Sequence, residues 1–264
     1  MLYDTYNFKP RKKMTFEDVC MNDAFPDIDI PITPNGAFRF SCVNGRKGNI
    51  LRFLNSLVKS ENYIFEPHFR YCPEVYSEIK LNSNFIGLWQ SEKYFKDIKQ
   101  DIRAQFVFRP FCEEKNISIS RKMEKENSVA VHIRKGDDYT RDSLWSNTCT
   151  KEYFESAINY ITSNVVDPVF YVFTDNKKWV EENICNISYT LIDWNPVKGK
   201  NNYRDMQLMT CAKHNIISNS SYSWWGAWLN PNSSKIVVAP KVWFNPQIEF
   251  YRDNDIVCED WISL

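Results

Sequence analysis

The chain has 264 residues, 43% of them hydrophobic and 25% charged, with 33 Lys and Arg balanced by 33 Asp and Glu. That length suits one large or two small soluble domains, and a balanced charge excludes the basic footprint that general nucleic-acid binding requires. No run of about 18 apolar residues marks a membrane span, and the opening MLYDTYNFKPRKK lacks the apolar core of a signal peptide. Eight scattered cysteines form no CxxC pair and no Cys/His cluster at metal spacing. They read as reduced thiols of a cytoplasmic protein.

The first half is irregular. Residues 48–65, GNILRFLNSLVKSENYIF, carry Ile50, Phe53, Leu54 and Leu57 at helical spacing and predict a helix. Residues 79–89, IKLNSNFIGLW, predict a strand. Residues 91–108 repeat Tyr94, Phe95, Ile98, Ile102 and Phe106 on one stripe, a helix capped by Ser91. The polar stretch 112–128 is either a helix or an interdomain connector, and a boundary near its end divides residues 1–126 from 127–264.

The second half alternates strand and helix. Strands are expected in 128–134, 167–175, 187–193, 214–220 and 234–240. Between them come helices in 151–163 (with Thr150 as cap), 176–185, 203–213 and 221–230. Near-continuous apolar strands in such an alternation imply a parallel sheet with helices on both faces. Polar residues collect where the strands end, as HIRKGD, FTDN, IDWN and SNSSYS. Open parallel sheets bind ligands outside those carboxyl ends.

Two readings stand for each candidate residue at that edge. Arg134 and Lys135 suit a phosphate or pyrophosphate clamp, or a solvated turn paired to Asp137 or Asp138. Ser218, Ser220, Ser221 and Ser223 crowd a helix start that favours anions, although one serine there is ordinary capping. His132 shares a strand face with Arg134, or is a satisfied core histidine. Asp205 either stabilises its helix start or accepts hydrogen bonds from a base edge. Trp224, Trp225 and Trp228 read as core. Neither a Walker A loop nor a GxGxxG is present.

HIRKGDDY, residues 132–139, resembles the HxRRGDY motif of the bacterial α-1,2-fucosyltransferases of glycosyltransferase family 11. Residues 204–230, RDMQLMTCAKHNIISNSSYSWWGAWLN, resemble that family's second long motif. YIFEPHFRY, IGLWQSEKYFKDI, FTDN, KVWFN and IVCEDWISL extend the likeness over residues 60 to 264. The resemblance implies an α/β fold of GT-B type with two Rossmann-like halves, the second binding the donor and the first shaping the acceptor side. It implies inverting transfer of L-fucose from GDP-β-L-fucose to the 2-hydroxyl of a terminal galactose on an oligosaccharide, without a metal. Arg134 would bind the pyrophosphate, His132 and Asp205 would lie near the guanine, and Ser220 and Ser221 would line the phosphates. Lys135, Asp137, Asp175, Asn219 and Ser223 complete the expected donor site. Lys135 stands where the family usually has a second Arg. No glycine-rich GGxGNQ loop is found, so the N-terminal half is expected to be incomplete, and a non-catalytic GDP-sugar or glycan-binding remnant is the alternative. The general base is not identified. Glu92 is a candidate, though it also reads as the favourable start of its helix.

Overall fold

The computed structural model describes residues 21–28, 62–81, 83–140, 144–248 and 254–264. A short helix, α1 (Met21–Ala24), comes first, followed by a parallel pair, β1 (Asn62–Phe65) and β2 (Ser83–Ile86). Residues 62–65, expected to end a helix, are therefore strand. Their aromatic and β-branched sequence suits a strand, and β2 offers it a partner. The rest of that expected helix, 48–61, lies outside the described residues. The strand expected over 79–89 is only the four residues of β2.

The continuous helix expected over 91–108 is also corrected. It is two 3-10 turns, Glu92–Tyr94 and Lys96–Ile98, followed by α2 (Lys99–Gln105). Ser91 does act as the cap, its Oγ accepting from Lys93 N at 3.3 Å. The break falls at Phe95 (φ −135°, ψ 18°). There the ring packs against Trp224, Trp225 and Trp228, with centroids 6.4, 6.0 and 5.4 Å away. Packing of that aromatic cluster overrides local helical periodicity. Of the two readings of residues 112–128, the helix is the one found: α3 spans Glu114–Lys125.

The second half is built around β3 (Ser128–Ile133), all six residues of which are buried. A strand is nearly continuous in apolar residues when both its faces are covered. Val129, Val131 and Ile133 pack on one side with α5 (Lys151–Asn164), which follows a short α4 (Asp137–Thr140), and with α6 (Lys177–Asn183). Ala130 packs on the other side with α3 and α7 (Arg204–Cys211). Thr150 holds the cap position of α5 but makes no side-chain cap bond.

Five more strands complete the sheet: β4 (Val169–Thr174), β5 (Tyr189–Ile192), β6 (His214–Ile216), β7 (Val237–Ala239) and β8 (Ile262–Ser263). Their order is β5-β4-β3-β6-β7-β8, and every pairing is parallel. The last helix, α8 (Ser221–Leu229), joins β6 to β7. The α/β architecture with a helix-flanked parallel sheet agrees with expectation and is compatible with a GT-B-like fold. The edge strand β8 was not foreseen, because two paired residues leave no periodic trace in the sequence. Relative to β3 the chain first builds outward through β4 and β5, then returns to lay β6, β7 and β8 on the opposite side. The order therefore reverses between β3 and β6, and a crevice at that reversal is the usual ligand site of such sheets.

Candidate functional site

The reversal point is occupied by a cleft of about 430 Å³. The chain leaves β3 directly into Arg134 and leaves β6 into the turn 218–220 that starts α8. One hydroxyl ties the two exits together: Ser218 Oγ donates to His132 O at 2.8 Å and accepts from Arg134 N at 3.0 Å. A second set of bonds ties β3 to β4. Thr174 Oγ1 donates to Ile133 O (2.8 Å) and Asn176 Nδ2 donates to Lys135 O (2.8 Å). The loops at this edge are thus held by their own polar side chains, which fixes the groups that face the cleft.

Arg134 and Asp175 form an ion pair on its wall, Nη1 to Oδ2 at 2.8 Å. The other carboxylate oxygen of Asp175 accepts from Lys135 N at 2.7 Å. Asn219, Ser220 and Ser221 also line the cleft, at the start of α8. Ser220 is the cap residue but spends no side-chain hydrogen bond on capping. The first amides of any helix lack partners within it, and they carry the positive end of its dipole. A guanidinium and a helix start that line one cleft both attract anions.

His132, Asn202, Asp205 and Tyr222 line the cleft as well. Tyr222 OH donates to Asn202 O (2.7 Å) and accepts from Met206 N (2.8 Å), so the ring is locked between the loop and α7. Asp205 Oδ1 accepts from Asn195 Nδ2 at 2.8 Å. Asn195 in turn exchanges hydrogen bonds with Asn116 of α3, which also takes the Trp194 indole N–H at 2.8 Å. Burial raises the Asp205 carboxyl to about 6, partly opposed by the Asn195 bond. It therefore titrates within reach of neutral pH. Burial, helped by the Arg134 charge, lowers His132 to about 3, so its imidazole is neutral. His132 is 8% exposed, and its Nδ1 has no hydrogen-bond partner.

Three expected site residues do not line the cleft. Lys135 turns its ammonium over the Trp179 ring, 5.1 Å from the centroid, and donates to Thr148 O at 3.4 Å. Burial lowers its pKa. Asp137 is exposed at the start of α4. Ser223 is buried, its hydroxyl donating to the carbonyls of Ser218 (3.4 Å) and Ser220 (3.3 Å). Asn219 does reach the cleft, but its side chain is committed to the fold. Its Nδ2 donates to Trp243 O at 2.7 Å, and its Oδ1 accepts from the Cys149 thiol at 3.2 Å. Burial pushes that thiol up to about 12, so it remains a donor.

Several lining residues were not foreseen: Gln90, Tyr139, Trp145, Thr174, Tyr222 and Trp243. Most of them sit inside or beside the motifs already quoted, where a ring or an amide carries no signal of which way it points. Among the described residues, Glu92, Cys258 and Asp260 come close enough to share a cation. They lie outside the cleft, and burial raises the Cys258 thiol well above its ordinary value, which disfavours the thiolate a metal needs. All six described cysteines are free thiols.

Residues 53–264 match the sequence model of Glycosyl transferase family 11. The chain belongs to this family. It is 33% identical to an alpha-1,2-colitosyltransferase of Escherichia coli over 202 residues, covering 74% of this chain and 67% of that protein. It is 36% identical over 156 residues to the O-antigen biosynthesis glycosyltransferase WbnK of Escherichia coli, covering 58% of this chain and 50% of the relative. A galactoside alpha-(1,2)-fucosyltransferase 2 of Gorilla gorilla gorilla is 20% identical over 212 residues, covering 75% and 58%. The chain thus spans from half to about two thirds of these curated relatives. Among the described residues no helix is long and apolar enough to cross a membrane.

Proposed function

We propose that this family 11 chain binds GDP-β-L-fucose in the cleft and transfers L-fucose to the 2-hydroxyl of a terminal galactose, inverting the anomeric carbon. One observation carries the reading: the Arg134 guanidinium and the Ser220–Ser221 helix start line the same cleft at the reversal point of the sheet. In this reading the diphosphate lies between them, with the base toward Asp205 and Tyr222. The acceptor hydroxyl attacks C1 from the face opposite the nucleotide, through an oxocarbenium-like transition state. Charge grows on the departing GDP as the bond breaks. Arg134 and the free amides of α8 are already in place to meet it, and fixed donors of this kind are the ordinary source of such stabilisation. The reaction then needs no metal.

A second reading differs only in the sugar. The colitosyl name of the Escherichia coli relative favours colitose as the donor residue, with the same linkage and the same clamp. Incubating the chain with a galactose-terminated oligosaccharide and either GDP-L-fucose or GDP-colitose, and weighing the product, separates the two. Turnover of UDP-sugars with neither GDP-sugar consumed would sink both. Binding of a GDP-sugar without transfer would leave a binding protein.

The Asp205 carboxylate gives the base contact a pH signature. As an acceptor toward base N–H groups it must be ionised, so its contribution is full above about pH 7 and fades as pH falls through about 6. The terminal phosphate of GDP also titrates near about 6, so the comparison is with Asp205→Asn at each pH. The affinity advantage of the wild type over this variant is expected to shrink about fivefold to tenfold between pH 7.5 and 5, by isothermal titration. A constant ratio would remove Asp205 from the base contact.

A further inference from the structure

Beside the cleft lies a smaller cavity of about 140 Å³, walled largely by rings: Trp89, Phe95, Trp224, Trp225 and Trp243. It shares Leu88, Gln90, Ser221 and Trp243 with the cleft and none of the residues around Asp205. It therefore adjoins the cleft where Leu88, Gln90, Ser221 and Trp243 line both. Its volume is well below the roughly 300–1,000 Å³ that larger ligands occupy, which suits one small ring. Aromatic walls match the apolar faces of a pyranose, and such a site needs a few polar groups at its mouth to fix orientation.

Gln90 is at that mouth, in a segment whose conformation is imposed. Trp89 has φ +50°, a left-handed conformation that a bulky side chain rarely adopts. Glu66, just past β1, holds it there: its carboxylate accepts from Leu88 N at 2.7 Å and from Trp89 N at 3.1 Å. Gly87 permits the approach, since a side chain there would collide with Glu66. Strain held by surrounding structure points to a positioned functional segment. The Gln90 carboxamide has not been recruited by the fold, as its Oε1 is buried without a protein partner. The terminal torsion of a glutamine is soft, so either end of the amide can turn to an incoming hydroxyl.

We propose that the aromatic annex is the subsite for the donor's pyranose, that Gln90 hydrogen-bonds a hydroxyl of that sugar, and that Glu66 is the positioning residue that holds Gln90 at the mouth. This rests on the donor reading above, because it places the sugar beyond the diphosphate at Ser221. The rings of the annex supply a direct signal, intrinsic tryptophan fluorescence, for titrating the full chain with GDP and with GDP-L-fucose. The wild type is expected to bind GDP-L-fucose more tightly than GDP. Gln90→Ala is expected to weaken GDP-L-fucose binding about threefold to tenfold while leaving GDP within about twofold. Glu66→Ala should show the same selective loss, and Glu66→Gln, which keeps one acceptor oxygen, part of it. Equal losses for both ligands in Gln90→Ala, or no loss for either, overturn the proposal, whatever the Glu66 variants do to folding. If the wild type fails to bind GDP at all, the donor reading itself falls and the subsite with it.

Discussion

Arg134→Ala is expected to weaken GDP binding by about 10- to 150-fold, the range for losing a hydrogen bond to a charged group of about 1.5–3 kcal/mol. Two effects add at this position. The guanidinium lines the cleft proposed to hold the diphosphate, and its ion pair at 2.8 Å neutralises Asp175. Removing it leaves a carboxylate facing the anion, held in place by the Lys135 amide at 2.7 Å. A double variant, Arg134→Ala with Asp175→Asn, is therefore expected to bind GDP better than Arg134→Ala alone. Arg134→Lys should fall between wild type and Ala, keeping the charge but losing the fork of donors. Isothermal titration of the four proteins checks the ranking. An Arg134→Ala affinity within twofold of the wild type would take this residue out of the clamp.

The parts of this architecture that were legible in the sequence are those that repeat a local rule. β3 announced itself because a strand covered on both faces is mostly apolar, and the change of hydrophobic period from strand to helix marked α5 through α8. Arg134 and Ser221 were legible for a similar reason: Arg134 follows β3 directly and Ser221 opens the helix that follows β6, so both fall at the carboxyl edge of the sheet. The errors lie where tertiary contacts decide. Phe95 breaks a regular helical stripe because its ring belongs among three tryptophans, Trp224, Trp225 and Trp228, far away in the chain. Lys135 follows Arg134 by one residue, yet its ammonium packs over Trp179 on the far side of the loop. Sequence adjacency gave both the same charge but not the same direction. Gln90 and Trp243 could not be placed at all from local pattern, since the cleft they line exists only once residues 87–91 dock against α8.

Trp228→Ala is expected to lower stability by about 3–5 kcal/mol, the cost of removing a large buried ring from a core. Trp228 is 2% exposed and stacks on Trp224 with centroids 6.1 Å apart. It is also the point where the first half of the chain is fastened to α8. Its indole N–H donates to Glu92 Oε2 at 3.1 Å, the Arg103 guanidinium lies 4.6 Å above its ring, and Arg103 donates to its carbonyl at 2.8 Å. Phe106 stacks on the neighbouring Trp225 at 5.4 Å, continuing the same seam. This one helix thus has two roles: its first turn lines the cleft, and its aromatic body docks residues 92–106. Glu92 does not line the cleft, and its bond to the Trp228 indole fits a structural role rather than that of a general base. Trp228→Phe keeps most of the ring contact and loses the indole donor, so it should cost about 1 kcal/mol plus a small packing term. Urea unfolding followed by far-ultraviolet circular dichroism measures both. A loss below about 1 kcal/mol for the alanine variant would mean that the seam does not hold the two parts of the chain together.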